Sequence, residues 1–366
     1  MNDSIVNNPA DILVTGDLVL DVPDAAHWLS GIAPALTGPA LVIGHLEVPH
    51  CRGGEEAGFD IPAPGADPDN LAALVDAGFD MLSLAGNHMA DCGAQGIAET
   101  VAELGRLGIA QTGAGETLAV ARKPAIAQGV ALLSYNCVGP QEGWASADKA
   151  GYAYLRIDTV DGSPITPIAP LAQVSAEAVE MLRADIATIR SDVIIVALHK
   201  GIVHTPAKLA PYERAIAHAA IDAGADAVIS HHAHIVRGIE FYRGQPIFHG
   251  LGNGCVVTTA LSPDQDHPGR ADWARRRKAL FGFEPDPAYT LAPFHPEAVN
   301  AMIGRLVRRA DGTLGAGIIP VHVEAPGRPI LASGARAREI ADYIERITVD
   351  AGLPPIRIDE NFMVTT

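Results

Sequence analysis

The sequence predicts an α/β protein in which sheets and helices are stacked in layers. Short apolar runs typical of buried strands recur along the chain, and segments with helix signals separate them. The chain has 366 residues, of which 48% are hydrophobic and 19% are charged. It is therefore long and apolar enough to bury a large core.

Apolar runs in the first two thirds of the chain predict strands. They are short and rich in Val, Ile and Leu, as strands that are covered on both faces usually are. The runs are residues 12–17, 41–47, 81–88, 193–199, 227–234 and 247–253. Each ends in side chains that can bind a metal, namely Asp, Glu, Asn or His.

Helix signals fall between these runs. Asp67 as a cap, Pro68 in the first turn and Gly78 at the end bracket one helix. Similar patterns predict helices over residues 95–107, 175–189 and 211–223. Strands and helices thus alternate, as they do in layered α/β folds.

The last third of the chain has a different amino-acid composition. Residues 256–300 are rich in Pro, Asp, Gly and Arg and predict a long irregular excursion, which is usually functional or mobile. Alternating runs near 301–307 and 317–323 predict two more strands, and a helix is expected over about 335–351. We expect a single domain over residues 11–366, with a motif-bearing core at 11–255 and with 301–366 completing the same core. A small appended subdomain is the alternative.

Charge and cysteine usage argue against several classes of partner. Lys and Arg number 26 against 43 Asp and Glu, and the net charge of −17 disfavours nucleic acid and anionic membranes. The four cysteines form no CxxC pair, which argues against a thiolate zinc site and favours a reducing compartment. Residues 1–8 are polar without the features of a signal sequence, and no apolar run approaches the roughly 20 residues of a membrane span. We expect a cytoplasmic protein; its oligomeric state is open.

The polar residues at the strand ends predict a binding crevice. In layered α/β folds, the carboxyl ends of the strands and the loops after them form the ligand site. The six runs bring one Asp, one Glu, two Asn and several His to such ends. This is the ligand chemistry of a hard or borderline metal ion, although each residue alone is also common in turns and strand caps.

Five short motifs in a fixed order resemble a known family. They are Gly16-Asp17, Leu46-Glu47, Gly86-Asn87-His88 followed by Asp91, His199-Lys200-Gly201, and Ser230 to His234 followed by Leu251-Gly252-Asn253. This series is similar to that of the CapA family, named for poly-γ-glutamate capsule synthesis, within the calcineurin-like metallo-dependent phosphatases. The resemblance covers about residues 12–253. It implies a metallophosphatase-like α/β/β/α sandwich, in which two mixed sheets are flanked by helices.

The resemblance also implies a centre of two divalent metal ions, which could be manganese, iron or zinc. Asp17 and His234 would then belong to one ion, and Glu47 would bridge the two. Asn87, His199 and His232 would hold the other ion. His88 would lie beside the metals to protonate a leaving group or hold developing negative charge, and Asp91 would orient it.

Several positions depart from the family pattern and are expected to alter substrate contacts. His45 replaces an asparagine, Lys200 replaces an aromatic residue, and Asp21-Val22 replaces a Gly-Arg pair, so an anion-binding arginine is expected to be missing. His45 could add a metal ligand or merely cap its strand. The candidate substrate-binding residues are His45, Lys200, His204, His249 and His295.

Three functions remain open at the level of sequence. The first is a hydrolase that uses a metal-bound hydroxide on a phosphoester, or on an amide or peptide-like glutamyl substrate. The second is a metal-dependent epimerase or lyase, in which His88 or His295 removes a proton next to a carboxylate or carbonyl group. The third is a non-catalytic component of capsule or polymer assembly. In the first two cases the partner is a small-molecule or peptide-like substrate.

Overall fold

A computed structural model of the protein describes residues 11–38, 41–57, 61, 63–309 and 311–366. The polar residues 1–8 lie outside the described residues.

Strands occur along the whole described part of the chain. They are β1 (Asp11–Leu20), β2 (Leu41–Leu46), β3 (Met81–Ser83), β4 (Ala110–Thr112), β5 (Ala114–Gly115), β6 (Ala125–Ala127), β7 (Val130–Asn136), β8 (Gly151–Tyr152), β9 (Ile157–Thr159), β10 (Leu171–Val174), β11 (Val193–His199), β12 (Ala227–His231), β13 (Ile239–Tyr242), β14 (Gln245–Phe248), β15 (Asn253–Val257), β16 (Asn300–Arg308), β17 (Leu314–Glu324), β18 (Arg328–Leu331), β19 (Arg357–Ile358) and β20 (Met363–Thr365).

Helices lie between the strands. They are α1 (Ala25–Leu29), α2 (Ala33–Leu36), α3 (Ala72–Ala77), α4 (Gly93–Leu107), α5 (Leu118–Ala121), α6 (Ala176–Thr188), α7 (Pro211–Asp222), α8 (Pro268–Phe281) and α9 (Gly334–Asp350), with 3₁₀ turns at Pro68–Leu71, Gln141–Gly143 and Pro296–Val299.

Most of the strands form two large mixed sheets, while β5 pairs with β8 and β9 pairs with β10. The larger runs in the order β19-β20-β17-β16-β1-β2-β3-β4, with β15 beside the second half of β1 and β18 beside β17. Its strands β1 to β4 and β15 are parallel, whereas β16 pairs antiparallel with β1. The smaller sheet runs in the order β13-β14-β12-β11-β7-β6, with a parallel centre and antiparallel edges.

Alternating side chains of the strands build the layers. In β1, Ile12 and Val14 belong to a core shared with Ile195 of β11 and Ile229 of β12, so the two sheets face each other. The intervening Leu13 belongs instead to a core with helices α1, α3 and α4. The other face of the smaller sheet packs against α6 and α7. These cores confirm the predicted α/β/β/α sandwich.

Two details of the sequence prediction were incomplete or wrong. β7 was not predicted, although it lies between β11 and β6 and is buried along its whole length. The segment 256–300 is not irregular throughout, because α8 occupies Pro268–Phe281. This helix has a proline in its first turn and Gly282 in the left-handed region after its end, but its sequence is mostly polar and carries no apolar stripe.

Candidate metal centre

Asp17 lies inside β1 at a point where the chain approaches another backbone closely. A Cβ atom on the preceding Gly16 would lie 1.9 Å from the carbonyl oxygen of Gly252, so only glycine permits this contact. The β1 ladder shifts register at Asp17, where the residue pairs with Asn253 of β15. Close packing thus requires glycine at position 16, and this packing positions the carboxylate of Asp17.

β2 and the turn after β3 supply the next site residues. His45 lies in β2, and Glu47 follows directly after its last residue. A Cβ atom on Gly86 would lie 3.0 Å from the carbonyl oxygen of Glu47, so the turn after β3 packs tightly against it. The next residue in that turn is Asn87.

The smaller sheet contributes histidines from two adjacent parallel strands. His199 is the last residue of β11, and His232 and His234 follow β12. His232 has φ of 90° and His234 has φ of 54°. Left-handed backbone at non-glycine residues costs about 1–3 kcal/mol each and is concentrated at functional sites.

Three of the predicted ligands, Asn87, His199 and His232, lie close together. Nε2 of His199 lies 2.7 Å from Oδ1 of Asn87 and 3.2 Å from Nδ1 of His232. The same Nε2 lies 3.9 Å from Oε1 of Glu47. These separations match those between ligand atoms that share an ion at bond lengths of about 2.0–2.2 Å.

The remaining predicted ligands meet on the other side of Glu47. Nε2 of His234 lies 3.4 Å from Oε1 of Glu47, and Nδ1 of His234 lies 3.5 Å from Oδ2 of Asp17. Asp17, Glu47 and His234 form one group of potential ligands, and Glu47, His199 and His232 form a second. Glu47 belongs to both groups, as a bridging carboxylate must. The cluster, defined as Asp17, Glu47, Asn87, His199, His232 and His234, therefore brings together all six predicted ligands.

Buried atoms without partners show that a cation fits the cluster. Glu47 is 1% exposed, and neither of its carboxylate oxygens has a hydrogen-bond partner among the described residues. Nε2 of His232 also lacks a partner within these residues. Burying a carboxylate is costly, and a divalent cation bound by carboxylate, amide and imidazole groups reduces that cost.

The pKa values of the cluster residues also reflect their burial and the neighbouring charges. Burial lowers the pKa of His232 to about 3 and also holds the pKa of His199 well below its usual value, so both offer neutral imidazoles. Burial and repulsion by Glu47 raise the pKa of Asp17 well above its usual value. Burial opposes ionisation of His234, but attraction to Glu47 and Asp17 raises its pKa to about 9. The two carboxylates thus stabilise the protonated form of His234.

His88 and Asp91 form the predicted pair next to the cluster. Nδ1 of His88 lies 2.6 Å from Oδ2 of Asp91, which also accepts the backbone N–H of Ala63 at 2.6 Å. The side chain of Asp91 is 1% exposed, whereas that of His88 is 25% exposed. Asp91 therefore fixes one ring nitrogen of a histidine that opens onto solvent.

A cleft gives access to the cluster. It consists of two adjoining pockets that share Glu47, His88, His234 and Phe294. Helix α8 lies along it, contributing Arg270 to one pocket and Trp273 and Phe281 to the other. The segment expected to be irregular is thus a helix that walls the cleft.

Lys200 and His249 do not reach this cleft, and their assignment as substrate contacts is corrected. Lys200 is 0% exposed and donates to Glu213 of α7 at 3.0 Å. His249 is also 0% exposed and lies 2.9 Å from Glu240 and 3.3 Å from Lys200. The two residues belong to a buried ionic cluster, which holds α7 against the smaller sheet.

The other candidate substrate contacts have mixed outcomes. His204 lines the cleft, and its ring lies 5.5 Å from that of His234. His295 instead accepts the backbone N–H of Glu297 at the start of a 3₁₀ turn and lines a neighbouring pocket without ligands of the cluster. His45 is 0% exposed and does not line the cleft, so it cannot contact substrate there.

Sequence reasoning missed Arg270. The arginine expected after the first motif is absent, yet Arg270 reaches the pocket that also holds Asp21. It lies in a polar helix about 250 residues away in sequence, and no local signal links it to the first motif.

The sequence model of a family described as "Bacterial capsule synthesis protein PGA_cap" matches residues 11–256. The chain belongs to this family. The matched region contains all six residues of the cluster and the His88–Asp91 pair, and it ends before α8.

Individual PGA_cap-like relatives match about half of the chain. A probable polyglutamine synthesis accessory protein of Mycobacterium tuberculosis is 36% identical over 194 residues, which cover 51% of this chain and 47% of the relative. The capsule biosynthesis protein CapA of Bacillus anthracis is 30% identical over 191 residues, covering 51% and 43% respectively. The PGA biosynthesis protein CapA of Bacillus subtilis is 29% identical over 185 residues, covering 50% and 44%. The chain thus spans about half the length of the curated relatives that it matches.

Two solved structures show overall similarity to this PGA_cap family member. A hypothetical protein from Thermus thermophilus is 18% identical with a TM-score of 0.43, covering 86% of this chain and 100% of that one. The calcineurin-like phosphoesterase YfkN from Bacillus subtilis is 13% identical with a TM-score of 0.33, covering 93% and 97%. Both TM-scores are too low to establish a shared fold.

Membrane-spanning helices are absent from the described part of the chain, since none of its helices is both long and apolar enough to cross a bilayer.

Proposed function

We propose that this protein is a hydrolase that depends on two divalent metal ions and cleaves a glutamyl amide, another peptide-like bond or a phosphoester. The observation that carries the proposal is Glu47. It is a buried carboxylate without hydrogen-bond partners among the described residues, and it lies between two groups of potential ligands.

The assigned ligands define what the chain contributes. Asp17 and His234 would hold one ion, Asn87, His199 and His232 would hold the other, and Glu47 would bridge them. When bound, the two ions would polarise the bond to be cleaved and lower the pKa of a water molecule. Carboxylate, amide and imidazole ligands suit manganese, iron and zinc alike.

His88 would move the proton. Its Nδ1 is bound to Asp91 at 2.6 Å, so Nε2 is the atom that would donate a proton to the leaving group. Asp91 holds the ring in one orientation and stabilises its protonated form. Because the side chain of His88 is 25% exposed and lines the cleft, it can reach a bound substrate.

Arg270 supports an anionic substrate. It lines the cleft beside Glu47 and His234, and its side chain is 13% exposed. A guanidinium group binds carboxylate or phosphate oxygens through paired hydrogen bonds. Among these substrates, the names of the relatives, which refer to capsule and PGA biosynthesis, favour a glutamyl amide.

Elemental analysis and an activity screen together test the proposal. We expect about two equivalents of metal per chain in the purified protein. Asp17→Ala and His232→Ala should lose metal, whereas the matched control His218→Gln, which alters a histidine bound to Glu240 outside the cluster, should retain it. Manganese-supplemented protein should hydrolyse at least one compound among γ-glutamyl amides, aryl phosphates and phosphodiesters.

Other outcomes would separate the competing functions. Full metal content in both cluster variants would refute the ligand assignment. A wild-type protein without affinity for manganese or zinc would indicate an assembly component. Exchange of a substrate α-proton with deuterated solvent, without hydrolysis, would indicate an epimerase or lyase.

A further inference from the structure

His45 is a buried histidine that the proposed function leaves unused. It lies in β2, two residues before Glu47, and is 0% exposed. Its Nε2 atom has no hydrogen-bond partner among the described residues. A ring in this position needs either a polar partner or a cation at that atom.

The opposite ring nitrogen is held in place. Nδ1 of His45 lies 2.9 Å from Oγ of Ser83 in β3, and that hydroxyl lies 2.6 Å from Oγ of Ser134 in β7. In the tautomer whose Nδ1–H donates to Ser83, the lone pair of Nε2 remains available. A second hydrogen bond of this kind usually fixes the ring of a metal-ligating histidine.

The surroundings of Nε2 are those of a ligand. It lies 4.0 Å from Oδ1 of Asp17, and Asp17, His45 and His199 each offer one atom within 4.8 Å of the others. Two atoms bound to one ion at about 2.0–2.2 Å can be at most roughly 4.4 Å apart. The separation from Asp17 fits within that limit.

His50 shows why an unpartnered nitrogen alone would not suffice. Its Nε2 also lacks a partner among the described residues, and its Nδ1 lies 3.2 Å from the carbonyl oxygen of Val48. However, His50 belongs to none of the groups of potential ligands found within those residues. The nearness of Asp17 therefore distinguishes His45 from an ordinary buried histidine.

We propose that His45 is an additional metal ligand, which joins Asp17 at the ion that this carboxylate holds. This inference rests on the proposed function, because it requires that the cluster binds metal. It gives the residue that departs from the family pattern a role at the ion held by Asp17 rather than at the substrate.

Metal titration of His45→Asn, which restores the residue typical of the family, tests the inference. Binding of Co²⁺ would be followed by its visible absorption and, separately, by elemental analysis after dialysis. We expect the wild type to bind two ions and the variant to bind one of them at least about 10–100-fold more weakly, since even loss of an outer partner of a ligand has that effect. The control His50→Asn removes an equally buried imidazole and should leave both affinities and the spectrum unchanged.

Diffraction from manganese-loaded wild-type crystals provides a measurement without any variant. Anomalous peaks should place an ion about 2.0–2.3 Å from Nε2 of His45. Both ions bound by His45→Asn with unchanged affinity and spectrum would overturn the inference and leave the proposed function standing. Equal loss in His50→Asn, or an ion far from Nε2 in the crystals, would overturn it as well. A wild type that binds no metal would overturn both proposals.

Discussion

At the scale of single residues, the chemistry depends on which atoms have partners. Oδ2 of Asp91 accepts from His88 and from the backbone N–H of Ala63, whereas neither oxygen of Glu47 has a hydrogen-bond partner among the described residues. A satisfied carboxylate can orient a neighbour, and an unsatisfied one can bind a cation. The sequence predicted these two different roles, but only the coordinates distinguish the surroundings of the two side chains.

His88→Asn should slow catalysis without removing metal. Loss of a general acid typically costs about 10²–10⁴-fold in rate, so kcat should fall by that factor while metal content stays at the wild-type value. Asp91→Asn should give a smaller fall, because His88 remains but loses its orientation. Steady-state kinetics with elemental analysis would check both variants, and loss of metal from His88→Asn would contradict the assigned role.

The buried pair Lys200–Glu213 should matter for stability rather than for catalysis. Glu213→Gln leaves the Lys200 ammonium buried without its counter-charge, and breaking a buried pair in this way costs about 3–5 kcal/mol. The double variant Lys200→Met with Glu213→Leu should cost less, because the ammonium is removed together with its carboxylate and only Arg237 then loses a counter-charge. Urea unfolding of the metal-loaded proteins would measure the difference. Equal stability of Glu213→Gln and wild type would contradict the expectation.

At the scale of elements, prediction succeeded where apolar runs or caps were strong. β1, β2, β11 and β12 were all located, and α9 was predicted within about a residue of its observed ends. α8 was missed because its residues do not form an apolar stripe. It also contacts distant parts of the chain, such as Glu56 and His204, and a single sequence does not reveal such contacts.

The six proposed ligands were predicted from the resemblance to the CapA family, whose motifs follow or end apolar runs of this chain. Arg270 could not be predicted, since its relation to the cleft depends on how α8 packs. Lys200 was misassigned because it replaces an aromatic residue of the family pattern at a position expected to affect substrate contacts, whereas its side chain donates to Glu213 of α7. Local pattern therefore predicts which residues reach the strand ends, and tertiary packing decides where the others point.

Glu56→Gln should loosen the start of α8. Glu56 pairs with His267 at 2.7 Å and with Arg270 at 3.1 Å, linking the loop after β2 to this helix. Partly exposed pairs contribute at most about 1 kcal/mol, so amide exchange over residues 268–281 should accelerate up to roughly fivefold. The KM for an anionic substrate should rise as Arg270 becomes less ordered.

Glu284→Gln provides the matched control for this change. Glu284 pairs with Lys278 at 2.9 Å near the far end of the helix, and both side chains are well exposed. We expect neither KM nor exchange near Arg270 to change in this variant. Equal effects of the two substitutions would show that Glu56 has no particular influence on the cleft.

At the scale of the whole molecule, the cluster joins the two sheets. Asp17, Glu47 and Asn87 come from the larger sheet, and His199, His232 and His234 come from the smaller one. A shared metal pair would therefore crosslink both layers of the sandwich, so metal binding should stabilise the fold as a whole.

Removal of metal should lower the temperature of unfolding. A ligand at one hundred times its Kd stabilises the folded state by about 2.7 kcal/mol for each site, provided that it does not bind the unfolded chain. Differential scanning calorimetry with and without a chelator would measure the change, and added manganese should reverse it in proportion to the logarithm of its concentration. The Asp17→Ala protein should respond much less, and an identical response would contradict a metal crosslink at this cluster.

The position of β1 also constrains how the chain folds as it is synthesised. Its first half is paired on one side by β2 and on the other by β16, and β15 flanks its second half. The earliest described strand therefore needs a partner, β16, that is synthesised almost three hundred residues later. Such distant pairings fold slowly and leave a strand edge open in the meantime. A chain cut at residue 256, the end of the region shared with the family, would keep the six ligands but leave the Asp11–Val14 edge unpaired. We expect such a fragment to aggregate when expressed, and co-expression of residues 257–366 to restore soluble protein.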